Sequence, residues 1–166
     1  DRLVEEAAAV VRAARATGIR LGLSCPLLDA SPFVYGGMAR AAEALPPEDA
    51  AWLAQRAPRY APVPEQIAAV AEIARQHRSD MIDVQLGPIG PQWCSDALLE
   101  AIAEASARLG LRVHMHLLES PRQRDWLGRR FPDGVVQRLA AIGLLSPRLA
   151  VAHGGVCGRR TGCCGS

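Results

Sequence analysis

Two residue types are missing from this 166-residue chain. It has no Lys and no Asn, and all 19 of its basic residues are Arg. Ala alone fills 29 positions. GC-rich codons produce such a bias, so the arginines say little about phosphate recognition. Aromatic residues make up only 4% of the chain, and the formal net charge is +2. That charge is too small to call for a nucleic-acid partner. No apolar run approaches the roughly 20 residues that span a bilayer, which excludes a transmembrane helix. Cysteines are few and badly spaced for a metal ribbon or a disulfide framework. Cys25 and Cys94 stand far apart, Cys157, Cys163 and Cys164 crowd the end, and no Cys-x-x-Cys occurs. The chain opens on Asp1 inside a helix-like pattern, with no charged segment leading into an apolar run, so no signal peptide is expected. A reduced, cytoplasmic compartment follows as the expectation. GxGxxG, GxxxxGKS and GxSxG are absent, which removes the common phosphate loops and the serine-hydrolase elbow.

What remains is a composition that folds. Hydrophobic residues make up 49% and charged residues 22%, and a domain of this length buries roughly 68–70% of its unfolded surface. Residues 1–17 carry Leu3, Val4, Ala7, Val10, Val11 and Ala14 at helical spacing, ended by Gly18. Ile19–Ser24 reads as a short buried strand and Cys25–Gly37 as a loop. Pro47 with the acidic residues after it opens a helix over 47–56, and a longer helix spans Pro64–Arg78. Met81–Leu86 is a strand and Gly87–Trp93 a rigid loop. Ser95 caps a helix over Asp96–Leu109, which Gly110 ends. Leu111–Leu118 is a strand, Ser120-Pro121 opens a helix to about Arg130, and Val135–Ile142 is a short helix stopped by Gly143. Leu149–His153 is the last strand. Four strands alternating with helices predict a parallel sheet with helical crossovers. Two solutions follow: a doubly wound open sheet, or part of a (β/α)₈ barrel, of which four units make about half.

The richest segment is VHMHLLE, Val113–Glu119. Strand alternation puts His114 and His116 on one face, which in a barrel is the interior. His116 lies toward the C-terminal end, where barrel active sites form, and Glu119 follows in the loop. An imidazole there can bind a divalent metal, and a carboxylate beside it can move protons; on spacing alone the alternative is a His that hydrogen-bonds in a polar core. His153 ends the last strand in the same way. Gln92 and Trp93, in the loop after the second strand, are candidates to line a substrate pocket, or simply to cap the rim. Asp29 could face the same rim or make a turn. His77 sits at a helix C-terminus and carries no expected function.

The segments GIRLGL, VQLGPIGPQWCSDALLEAIAEASARLGLRVHMHLLES and GLLSPRLAVAHG together resemble the central part of a metal-dependent hydrolase of the amidohydrolase superfamily. The nearest group holds the cytosine, guanine and S-adenosylhomocysteine deaminases and the chlorohydrolases. The resemblance implies a partial (β/α)₈ TIM barrel, about strands 3–6 with their helices, over residues 1–153. By similarity, His116 matches a metal ligand, Glu119 the proton-shuttling acid, and His153 the residue that contacts substrate or the attacking water. The implied reaction is hydrolysis of a carbon–nitrogen (non-peptide) bond of a small molecule by metal-activated water, with zinc as the implied ion and iron as the other choice. A homodimer is common for such barrels.

Four departures qualify the match. The family's His-x-His on the first strand and Asp on the last strand are not in this chain, and Ile89 stands where deaminases often carry His. Residues 154–166 (GGVCGRRTGCCGS) abandon the family pattern, as a flexible tail would, or as a frameshift near Gly154–Gly155 would make them. The expectation is that this stretch alone is inactive and prone to aggregation, because a half barrel leaves strand edges uncovered. Two other readings stay open on the residues alone. One is a metal-free barrel using His116 and Glu119 as acid and base; the other is a non-catalytic α/β scaffold.

Overall fold

Helices and strands alternate along the chain as the periodicity predicts. The computed structural model describes residues 2–30, 33–55 and 58–155. In chain order these are α1 (Arg2–Thr17), β1 (Leu21–Leu27), α2 (Gly37–Glu43), α3 (Pro47–Gln55), α4 (Val63–His77), β2 (Ile82–Pro88), a 3₁₀ turn (Pro91–Trp93), α5 (Asp96–Leu109), β3 (Arg112–Leu117), α6 (Pro121–Arg130), α7 (Val135–Ala141) and β4 (Leu149–His153). No helix among the described residues is long and apolar enough to cross a membrane.

The four strands are parallel and lie in the order β1-β2-β3-β4. A doubly wound sheet reverses its strand order at a switch point. This sheet does not reverse, which is the arrangement of a barrel wall. Side-chain alternation divides it into two faces. In β3, Val113, Met115 and Leu117 are buried while Arg112, His114 and His116 are exposed. The buried face is the outer one. α1 packs on β1, α4 on β2, and α5 on β2 and β3, each helix also touching its neighbour in the ring. Their inward stripes follow the helical period: Ala7, Val11 and Ala14 in α1, Val70 and Ile73 in α4, and Leu98, Leu99 and Ile102 in α5. The opposite face is the barrel interior.

Two strands run further than the local pattern indicates. β1 continues through Cys25, Pro26 and Leu27, residues that read as loop, because each finds a register partner from Leu86 to Pro88 on β2. Pro26 is tolerated because β1 is an edge strand of this sheet. Gly87 leaves no room for a side chain against β1: a Cβ there would lie 2.6 Å from the Cys25 carbonyl oxygen. The short helix α2 lies in a stretch with no assigned pattern. Neither α2 nor α3 buries a residue, so the excursion between β1 and α4 rides on the barrel rather than forming its core. The tail expected over 154–166 lies outside the described residues from position 156 onward.

Candidate metal centre

His116 reaches the rim through simple alternation, on the interior face of β3. His153 does not. Its register partner is Leu117, which points to the helices, so alternation would send the ring outward. The backbone at His153 instead adopts φ 76°, in the left-handed region. That conformation, costly for a residue with a side chain, swings the imidazole round to the interior rim. Gly154 N then donates to Leu117 O at 2.8 Å and closes the turn. The two rings meet with His153 Nε2 3.0 Å from His116 Nδ1 and centroids 5.1 Å apart. Glu119 reaches the same place by a similar device. Leu118, buried, takes φ 55°, which turns the chain back over the end of β3. A Glu119 carboxylate oxygen stands 3.9 Å from His153 Nε2.

One ligand atom from each of His116, Glu119 and His153 thus lies within 4.8 Å of the others, and all three residues are exposed. The donor set of two imidazole nitrogens and one carboxylate oxygen suits a borderline divalent ion such as zinc. Two ring nitrogens at 3.0 Å can share one proton, or both can turn their lone pairs to one cation.

The other predicted residues divide. His114 lies on the same face, its ring centroid 6.3 Å from that of His116, and with Ser24, Pro26, Gly87 and Ile89 it lines a cleft of about 230 Å³. Ile89 also accepts the His116 backbone N–H at 3.1 Å. Gln92 is 2% exposed and bonds to Gln123 beneath the rim. Trp93 is half-buried, and its carbonyl accepts from Asp29 N and Ala30 N, both at 3.1 Å. Asp29 makes the turn rather than the site: its two carboxylate oxygens accept from Ser95 N and Ser95 Oγ, each at 2.6 Å. Ser95 Oγ in turn caps α5 by accepting from Leu98 N at 3.0 Å. Cys25 and Cys94 are free and buried. Burial pushes their thiols up to about 11 and about 12, with the Asp29 charge adding to the second, so neither supplies a thiolate at neutral pH.

Two residues at the rim carry no sequence signal of their own. Tyr35, on the excursion after β1, has its phenol pKa raised chiefly by burial, offset by a side-chain hydrogen bond with Ser120 and raised further by the Glu119 charge. Only two aromatics, Phe33 and Tyr35, in a Gly- and Pro-rich loop hint at it. Gln123 sits in the first turn of α6, fully buried, where a polar residue on a helix stripe is the sole clue.

Arg130 locks the loop below the site. Its guanidinium donates to Pro91 O at 2.7 Å, Cys94 O at 2.9 Å and Asp96 Oδ1 at 2.7 Å, and it lies 5.4 Å from the Trp126 ring centroid and 4.9 Å from that of Phe131. A planar fork does this and an ammonium cannot. Arg130→Lys is expected to cost about 1–3 kcal/mol in urea unfolding; a change below about 0.5 kcal/mol would show that the fork is idle.

A family model described as the Amidohydrolase family matches residues 3–161. The 8-oxoguanine deaminase of Pseudomonas aeruginosa is 37% identical over 95 residues, covering 54% of this chain and 21% of that protein. The 5-methylthioadenosine/S-adenosylhomocysteine deaminase of Teredinibacter turnerae is 38% identical over 73 residues, covering 44% of this chain and 16% of that protein. The chain therefore spans about a fifth of the curated relatives it matches. Among solved structures, the zinc complex of atrazine chlorohydrolase from Arthrobacter aurescens TC1 superposes with TM-score 0.62 at 20% identity, covering 87% of this chain and 29% of that one. Guanine deaminase from C. acetobutylicum gives TM-score 0.66 at 14% identity, covering 90% and 32%.

Proposed function

Since the chain belongs to the amidohydrolase family, we propose that it supplies about strands 3–6 of a (β/α)₈ metal-dependent hydrolase that cleaves carbon–nitrogen (non-peptide) bonds of small molecules. The observation that carries this reading is the convergence of His116, Glu119 and His153 on one barrel rim. The reaction is deaminase-like, in keeping with the deaminases among the relatives. The substrate is a small amino-bearing heterocycle that enters from the rim beside Trp93. Ile89, which lines the cleft, gives that wall an apolar surface.

His116 is the residue that holds the metal, zinc by preference and iron as the second choice, with further ligands from strands outside this chain. A divalent ion bound there supplies Lewis acidity and a water of lowered pKa. Glu119 takes the proton from the attacking water and delivers it to the departing nitrogen; its exposure at the rim leaves it free to reach both. His153 donates a hydrogen bond to substrate or attacking water from a ring that its left-handed backbone aims inward. With one metal-holding residue in place, this stretch alone is inactive. We place the whole protein in the cytoplasm, where Cys25 and Cys94 stay reduced, and expect it to form a homodimer.

The test is ammonia release from aminated purines and pyrimidines by the complete enzyme. Turnover is expected to vanish with a chelator and return with zinc. No release from any of them, or release indifferent to the chelator, overturns the proposal, the second outcome in favour of metal-free acid–base chemistry.

A further inference from the structure

We propose that Gln92 and Gln123 form a buried amide relay that positions Glu119, a role beyond the metal centre itself and one that rests on the hydrolase reading above. Glu119 N–H donates to Gln123 Oε1 at 2.7 Å, and Gln123 Nε2 donates to Gln92 Oε1 at 2.6 Å. Gln123 is 0% exposed and Gln92 2%. The relay joins the loop after β2 to the turn after β3.

The backbone sets its polarity. An amide N–H can only donate, so Gln123 must turn its oxygen toward Glu119 and its nitrogen toward Gln92. Gln92 must then answer with its oxygen. Its own Nε2 is left buried with no partner among the described residues. Turning Gln92 over would set two donors face to face. An orphaned buried donor costs about 1–3 kcal/mol, and a pair serving only to fill space would be better replaced by apolar residues.

The turn it holds needs holding. Leu118 occupies the left-handed region at φ 55°, which a residue with a side chain keeps only when its surroundings over-determine it. The clamp on Glu119 N is one such constraint. Ser120 is a second, its hydroxyl accepting from Gln123 N at 3.2 Å. With both in place the Glu119 backbone is held at the end of β3, where its carboxylate lies 3.9 Å from His153 Nε2. Gln92 and Gln123 are positioning residues, since neither reaches the reacting atoms.

Gln123→Leu in the complete enzyme is expected to lower kcat by about 10–100-fold with KM and zinc content unchanged, the size of effect that outer-shell partners have. Amide exchange at Glu119 should speed up by at least about tenfold while that at His116, bonded to Ile89 O, stays slow. Gln123→Glu keeps the acceptor for Glu119 N–H and lets Gln92 turn its spare donor inward, so kcat should return to within about threefold of wild type. Gln92→Leu should lower kcat less, and add nothing in a Gln123→Leu background; it also serves as the test if Gln123→Leu fails to fold. Wild-type kcat in Gln123→Leu overturns the relay, as does a loss explained wholly by missing zinc, or a Gln123→Glu enzyme as slow as Gln123→Leu. If Glu119→Gln keeps full turnover, the proton-carrying role of Glu119 falls and the relay with it. An inactive Glu119→Gln beside a fully active Gln123→Leu removes the relay alone.

Discussion

Glu119→Gln in the complete enzyme is expected to lower turnover by about 10²–10⁴-fold, the usual worth of a positioned proton carrier, while zinc stays bound. The substitution keeps the shape of the side chain and the backbone clamp to Gln123, so the turn after β3 should not move. It removes only the ability to take a proton from one group and give it to another. Zinc content by metal analysis should match wild type, since His116 is untouched. KM should change little, because an amide preserves hydrogen bonding to a ground-state substrate. A variant with wild-type turnover would mean that another group carries the proton. His153, 3.9 Å away, would be the first to examine.

His116→Ala should act on the other half of the site. It removes the imidazole that stands at the centre of the cluster, 3.0 Å from His153. Outer-shell partners alone change metal affinity by about 10–100-fold, so loss of a direct ligand is expected to exceed about 100-fold. Dialysed enzyme should then carry little zinc, and turnover should fall in proportion to the missing metal. The two variants separate cleanly: Glu119→Gln holds metal without chemistry, and His116→Ala loses the metal first. Full zinc occupancy in His116→Ala would transfer the ligand role to residues outside this chain. Folding should survive, because the side chain is exposed and its backbone bond to Ile89 O needs no imidazole.

Where the chemistry is local, the sequence was a sound guide. Both ends of α5 were readable, because Ser95 caps through its own hydroxyl three residues away and Gly110 turns the chain at φ 61° without a partner. The two histidines of β3 share a face for the same reason: a period of two needs no knowledge of neighbouring strands. Glu119 stood close enough in sequence to be placed at the same rim. The site beyond these residues was harder to read. Asp29 could serve rim or turn until Ser95, 66 residues away, took both its oxygens. Nothing in the loop of Gln92 announces its bond to Gln123, 31 positions on. Tyr35 arrives from an excursion whose helices bury nothing and so carry no inward stripe to read.

By itself, then, the sequence determined the order of helices and strands apart from α2, the caps of α5, the inward face of α1, and the shared face of His114 and His116. Hydrogen bonds within a helix turn and hydrophobic periods act over a few residues, so they are written where they act. Hydrophobic pattern alone left barrel wall and doubly wound sheet open, and the tertiary structure decided for the barrel that the family resemblance implied, because strand order depends on which edges meet. It also extended β1 to Leu27 through pairing with β2, turned His153 inward against its own alternation, and buried Gln92 against Gln123. Each of these rests on contacts between segments tens of residues apart, whose free energy exists only once the chain has closed the loops between them.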